Sequence, residues 1–383
     1  MSNSHNNYKI DIALVREVYA GKTFPDIQLN TFQNIEDLFP CRTIRRSGDV
    51  KLLQYETKCI FNMNIVSDGE HYDIYDYVSR NRIAGLLMLK DHKIAFEHYE
   101  FGIDETTKWM SMSMAKSISS TLVGVAIQDG FIDNLDDPLT KYLPQLIGSS
   151  YERVTIRQLL LMTSGVQWDE DHTNPKSERR QVLELQIAQK PGEILKFMGK
   201  LPRVAEPGAV WNYSTGETHV VGELIQEVTG KMLSDYLSEK IWSKLGMQSD
   251  ASWWLESKDG LEIAGSGISA TLHDYGRFGL FILDNGSIDG KQVLPPWWVK
   301  EAGSSRMLGN SRLDYGYMWW HVPAPQDSEH QPGFAARGIF GQYIYINPSE
   351  NVVLVVWSAR AKPRYSEVLL DNDFFNAAII ALQ

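Results

Sequence analysis

Two parts of the chain carry dense apolar runs of strand length. Ile83–Leu89 is almost wholly apolar, meets a turn at Lys90-Asp91-His92, and is followed by Lys93–Tyr99; this predicts a β-hairpin whose first strand is central and buried. Gln342–Ile346, the turn Asn347–Asn351 and Val352–Trp357 predict a second hairpin. Tyr315–Val322 reads as a further strand. Helical spacing fills the middle: Met114 to Gln128, ended by Asp129-Gly130; a helix opened by Thr155 as N-cap; and helices over 179–190, 217–229 and 232–245, the last closed by Gly246. Thr271 opens an amphipathic helix to about Asp284, with Asp274 in the capping-box position usually held by Glu. A last helix is expected from Tyr365 to Leu382. Residues 1–80 show little period beyond Ile10 to Tyr19 and read as an irregular lead-in.

Strands at both ends with helices between predict an α+β fold, an antiparallel sheet flanked by helices plus a mostly helical domain. Residues 1–115 and 265–383 would form the sheet domain and 116–264 the helical one, with a site between them.

Composition narrows the function. The 383 residues are 43% hydrophobic with 11% aromatics, enough for a large core. A net charge of −11 leaves no basic face for phosphates, so nucleic acid is not an expected partner. Only Cys41 and Cys59 occur; they could pair, but two isolated thiols in so long a chain fit a reducing compartment. Met1–Lys9 has neither a basic start nor an apolar stretch, and no run is long enough to span a membrane. The expectation is a cytoplasmic protein without a membrane partner.

The chemistry centres on Lys108–Ala126, where Ser113 and Lys116 stand three apart at the start of an apolar helix. That spacing puts hydroxyl and amine on one face. A buried lysine has its charged form disfavoured and becomes a usable base, and a helix N-terminus favours a developing oxyanion. Average composition yields about one chance Ser-x-x-Lys in a chain this long, so a serine cap beside a solvated lysine is an equal alternative on spacing alone.

Ser113-Met114-Ala115-Lys116, Gly130–Pro138 and Leu159–Gly165 together resemble the serine β-lactamase and penicillin-binding-protein superfamily, and most of all its class C β-lactamase-related esterases and amide hydrolases. The resemblance runs from about Ile83 to Trp357 and implies a β-lactamase/transpeptidase-like fold. It implies that Tyr213, in Pro207–Gly216, is the tyrosine of a Tyr-x-Asn motif, with Thr215 in place of the asparagine. A phenol near a lysine ammonium would have its pKa lowered and serve as base and then acid. Ala336-Arg337-Gly338 falls at the Lys- or His-x-Gly motif, so the cation that binds a β-lactam carboxylate is missing. Gly338 would let substrate lie against the backbone, and the N–H groups of Ser113 and Ile339 would form the oxyanion hole. The loop Asp169–His172, with Pro175 and Ser177-Glu178, resembles the substrate-facing segment of aminohexanoate-dimer hydrolases, with His172 where those have tyrosine. His172, Asp171, Trp168, Gly338 and Thr215 are therefore the candidate substrate-binding residues, and an acidic loop would favour an amine. Trp168, Trp211, Trp319 and Trp320 are candidates for an apolar lining.

There is no Gly-x-Ser-x-Gly elbow, His-Glu-x-x-His, Cys-x-x-Cys or glycine-rich phosphate loop. No metal or other cofactor is expected. The resulting expectation is a serine hydrolase that cleaves a small ester or amide through an acyl-enzyme, with self-association as a homodimer left open. A β-lactamase or D-alanyl-D-alanine carboxypeptidase, and a non-catalytic ligand-binding or sensor protein on the same fold, are the alternatives.

Overall fold

The computed structural model describes residues 14–326 and 328–383. Its centre is a six-stranded antiparallel sheet in the order Trp320–Val322, Gly333–Gly338, Gln342–Asn347, Val352–Ser358, Ile83–Lys90, Lys93–Tyr99. Both predicted hairpins are present, and they join through Val352–Ser358 against Ile83–Lys90, with Leu354 opposite Met88 and Val355 opposite Leu87. Every residue of Val352–Ser358 is buried because both faces are covered. Successive side chains point to opposite sides. Val353, Val355 and Trp357 join the larger core, which continues into the middle helices, while Val352, Leu354 and Val356 pack with Tyr77, Phe374, Phe375 and Ile379.

On the larger-core side, helix Met114–Gln128 is buried from Met114 to Ala126. Its hydroxyls tolerate this because they donate to backbone carbonyls: Ser117 to Met318 at 2.6 Å, Ser119 to Ala264 at 2.7 Å, Thr121 to Ser117 at 2.7 Å. Helix Thr215–Thr229 packs beside it. A smaller sheet, ordered Cys41–Ile44, Ala251–Trp254, Ile268–Thr271, Lys108–Met110, leads the chain into that helix.

Thr155 caps Ile156–Leu160 with a full capping box to Gln158. Thr271 caps Leu272–Leu283, but Asp274 does not complete the box; its carboxylate accepts from the N–H groups of Gln248 and Ser249 instead. The expected helices appear as Glu178–Ile187, Thr215–Thr229 and Leu233–Lys240, the last followed by a 3-10 turn at Trp242–Lys244.

Several expectations are corrected. The strand expected over 315–322 is only Trp320–Val322; Met318 has φ 60°, so the aromatic run before it turns back and Tyr315 bridges to Trp320. The last helix begins at Asp371, not Tyr365. Val368 and Leu369 donate their N–H groups to Asn81 Oδ1, and Asn81 Nδ2 donates to the Leu369 carbonyl, bonds incompatible with a helix there. Helix Glu193–Lys200 was not expected. The lead-in contains helices Pro25–Gln33 and Ile74–Arg80. The N-terminal helical period is present over Leu14–Tyr19; Ile10 to Ala13 and the leader reading of Met1–Lys9 lie outside the described residues. Cys41 and Cys59 are free, and burial, then Glu36, push the Cys41 thiol up to about 12. No helix among the described residues is long and apolar enough to cross a membrane.

Candidate active site

Strand Lys108–Met110 pairs with Ile268–Thr271 and delivers Ser113 to a helix N-terminus. The turn between them is tight: Met112 is buried with φ 47°, and Ser111 is bonded both ways to Ile268 through its N–H and hydroxyl oxygen. Ser113 occupies the N-cap position of Met114–Gln128 but makes no side-chain cap bond. Its oxygen instead receives the Lys116 amine at 2.9 Å, and that amine also donates to the Gly265 carbonyl at 3.0 Å. Lys116 is 1% exposed. Both halves of the bland alternative, a capping serine and a solvated lysine, are therefore absent.

Burial lowers the Lys116 pKa from 10.5 to about 7; Glu170 opposes the shift, and Arg179 and Arg364 add to it. The Lys116 amine lies 5.1 Å from the centre of the Tyr213 ring. Tyr213 departs from expectation. Its hydroxyl is pushed above the ordinary phenol value by burial, then by the Glu170 carboxylate, and contact with the Ser113 hydroxyl only partly offsets this. The arrangement pairs an amine poised to lose its proton near pH 7 with a protonated phenol.

Opposite Ser113 runs strand Gly333–Gly338. A Cβ at Gly338 would fall 2.8 Å from Met112 Cβ and 2.8 Å from the Ser111 carbonyl, so only glycine lets this strand approach the serine turn so closely. Ile339 follows, and Ser113, Tyr213, Gly338 and Ile339 all border one cavity of about 590 Å³. Ala336 is fully buried opposite Ile344 and contributes nothing to the cavity wall.

The loop 168–178 is arranged differently from expectation. Its carboxylate in the cavity is Glu170. That group accepts from Trp168 Nε1 at 2.5 Å, Thr215 N–H at 2.9 Å and Thr215 Oγ1 at 2.5 Å. Thr215 and Trp168 thus hold Glu170 from behind and do not border the cavity. Asp171 is exposed and accepts from the N–H and hydroxyl of Thr173, so it does not face the cavity either. His172 does border it, stacked on Tyr19 at 5.6 Å between ring centres and 4.0 Å from Glu170. Burial, then Arg179, Arg364 and Lys116, hold its pKa well below 6.5, so the imidazole is neutral. Of the four tryptophans considered, Trp211 and Trp320 line the cavity; Trp168 and Trp319 are in the core.

Arg337, Arg360 and Arg364 also line the cavity, and no sequence motif marks them as site residues. Arg337 stands beside the motif alanine and donates to Asn372 at 2.6 Å, an uncharged partner that leaves its charge unneutralised. Arg364 is exposed at the mouth. Arg360 is bound by Asp371, which also accepts from Tyr343 at 2.6 Å and Tyr77 at 2.9 Å. The signal for Arg337 was its adjacency to the Gly338 motif. Arg360 and Arg364 carried none, because the loop that presents them resembles no motif.

Residues 77–376 match the family described as beta-lactamase. The 6-aminohexanoate-dimer hydrolase of Paenarthrobacter ureafaciens is 28% identical over 295 residues, which cover 72% of this chain and 72% of the relative. A Bacillus anthracis protein provisionally described as a 6-aminohexanoate-dimer hydrolase superposes with a TM-score of 0.82 at 22% identity, covering 100% of this chain and 98% of that one. A class C beta-lactamase variant superposes with a TM-score of 0.58 at 16% identity, covering 81% and 94%. The last two likenesses are likenesses of fold.

Proposed function

This chain belongs to the beta-lactamase family, and from that premise we propose that it is a serine hydrolase that opens a small amide or ester through an acyl-enzyme on Ser113. The observation that carries the reading is the 2.9 Å contact between Ser113 and a buried lysine whose pKa is lowered to about 7. At neutral pH a large share of Lys116 is the free amine. It takes the proton as Ser113 Oγ bonds to the carbonyl carbon. The N–H groups of Ser113 and Ile339 receive the oxyanion. Tyr213, held as a phenol, gives its proton to the departing amine or alcohol and is reprotonated from the Lys116 ammonium. Water then repeats the sequence on the acyl group, and acid is released.

The cations favour an anionic end on the substrate. Glu170 already accepts three hydrogen bonds, so little of its carboxylate is open to an amine, whereas Arg337 and Arg364 offer charge. The relative that acts on the 6-aminohexanoate dimer makes a short amide with a terminal carboxylate a reasonable first substrate to assay.

The direct test is covalent. A fluorophosphonate probe is expected to add one equivalent of mass to the protein, located on the peptide that contains Ser113, and Ser113→Ala should remain unlabelled. Labelling of the alanine variant, or none of the wild type, would sink the proposal and favour a binding protein.

Electrostatics gives a second check. Activity requires unprotonated Lys116, so kcat/KM should rise with pH through about 7. Glu170 raises the Lys116 pKa and Arg364 lowers it. Glu170→Gln should accordingly move the rising limb to lower pH and Arg364→Met to higher pH. Arg364→Met should also raise KM several-fold for a carboxylate-ended substrate and leave that of a neutral ester unchanged. Limbs that move in the opposite directions would refute Lys116 as the titrating base.

A further inference from the structure

A second polar cluster lies outside the cavity. On helix Thr215–Thr229, His219 and Glu223 are four residues apart and share a face. The segment after strand Ala251–Trp254 brings Glu256 against them. His219 Nε2 is 3.5 Å from Glu223 Oε1 and 3.6 Å from Glu256 Oε2, and one ligand atom from each of the three residues lies within 4.8 Å of the others. His219 and Glu256 are each 2% exposed. Neither ring nitrogen of His219 nor Oε2 of Glu256 has a hydrogen-bond partner.

The separations discriminate between occupants. An N–H···O hydrogen bond runs to about 3.2 Å, shorter than either contact. Donor atoms about 2.0–2.1 Å from a tetrahedral zinc ion stand roughly 3.4 Å apart, close to the 3.5 and 3.6 Å at His219, and all three ligand atoms lie within 4.8 Å of one another. Charge agrees with distance. A neutral imidazole and two carboxylates place two negative charges in a region nearly closed to water; a proton would leave one of them, whereas a divalent cation leaves none. Glu256 is also held in a ligating orientation, because the Gly192 N–H donates to its Oε1 at 2.7 Å and leaves Oε2 aimed at the histidine.

We propose that His219, Glu223 and Glu256 form a binding site for one divalent transition-metal ion, with zinc the best match to one imidazole and two carboxylates. None of the three borders the cavity, so the ion would lie apart from Ser113, with the fourth tetrahedral position left to water. The ion fastens the helix that starts at Thr215, directly behind Glu170, to the segment following Ala251–Trp254. Motif reasoning has no purchase here, because His219 and Glu223 alone are an ordinary helical pair and the third ligand comes from another element.

The test uses the purified full-length chain, stripped with a chelator and titrated with zinc chloride by calorimetry, with metal content measured after dialysis. One zinc per chain and a higher melting temperature on loading are expected. Glu223→Gln should weaken zinc binding at least tenfold, while Glu227→Gln, exposed one turn further along the same helix, should bind as wild type. Circular dichroism establishes that each variant is folded, and cobalt absorption bands in the wild type that are missing from Glu223→Gln would place the ion among these residues. If the wild type takes up no stoichiometric zinc, or Glu223→Gln binds it undiminished, the proposal is wrong and His219 is an imidazolium between two carboxylates.

Discussion

Lys116→Met is expected to lower kcat for ester and amide hydrolysis by about 10²–10⁴-fold, the usual contribution of a positioned general base, while leaving the melting temperature unchanged or higher. The two effects diverge for one reason. Lys116 sits in a dry site where its charged form is disfavoured, and its pKa falls to about 7 while the unfolded chain keeps the ordinary 10.5. The lysine therefore lowers stability, in full below about 7 where both states are protonated and progressively less as pH rises toward 10.5. Methionine has similar length, fills the same space and carries no such cost. The loss of a donor to the Gly265 carbonyl offsets part of the gain. Steady-state kinetics on a p-nitrophenyl ester, together with thermal melting, separates these outcomes. A variant that keeps its rate would remove Lys116 from the chemistry, and one that melts much lower would make it a structural residue.

The second large effect concerns the cavity wall. Asp371→Ala should destabilise the fold by about 3–5 kcal/mol, the range for removing one partner of a buried ion pair. Asp371 is buried and accepts from Arg360, Tyr343 and Tyr77, so alanine strands two buried hydroxyls and leaves the buried Arg360 guanidinium with Glu367, 3.8 Å away. Burial alone would raise its pKa, but the Arg360 charge and these hydrogen bonds outweigh it and hold the carboxyl below the usual value. Its contribution is therefore full above the unfolded aspartate pKa near 3.8 and is lost as pH falls through the lower folded value. Urea unfolding at neutral pH and at about pH 3 measures both statements. A midpoint within error of wild type at neutral pH would contradict them. Because Arg360 and Tyr343 line the cavity, activity should fall with stability in this variant.

The readable and unreadable parts of the chain differ in how far apart their determinants lie. Ile83–Tyr99 and Gln342–Trp357 are legible because apolar runs and a turn residue act within one hairpin. Ser113 and Lys116 are legible as a spacing, and Tyr213 through its motif. The loop Pro363–Leu370 is not, since its shape is dictated by Asn81, far away in sequence. Tyr315–Trp319 looks like a strand by its aromatics, yet Met318 turns in the left-handed region and closes it into a bend. Glu170 reads as one acid in a solvated loop; which member of Asp169–Asp171 faces inward depends on Trp168 and Thr215 reaching it. The expected lowering of the tyrosine's pKa fails because it presumes a charged lysine, whereas burial and Glu170 dominate the surroundings of Tyr213.

The pairing of Ile83–Lys90 with Val352–Ser358 also sets a timetable for synthesis. A ribosome adding about 5–20 residues per second needs roughly 13–50 s to make the intervening 260 or so residues. Through that interval one edge of an apolar strand has no partner, and the lysine and serine have no facing strand. The site is therefore assembled only after Gly333–Ser358 has been made, and the nascent chain depends on slow closure between distant segments rather than on early local folding.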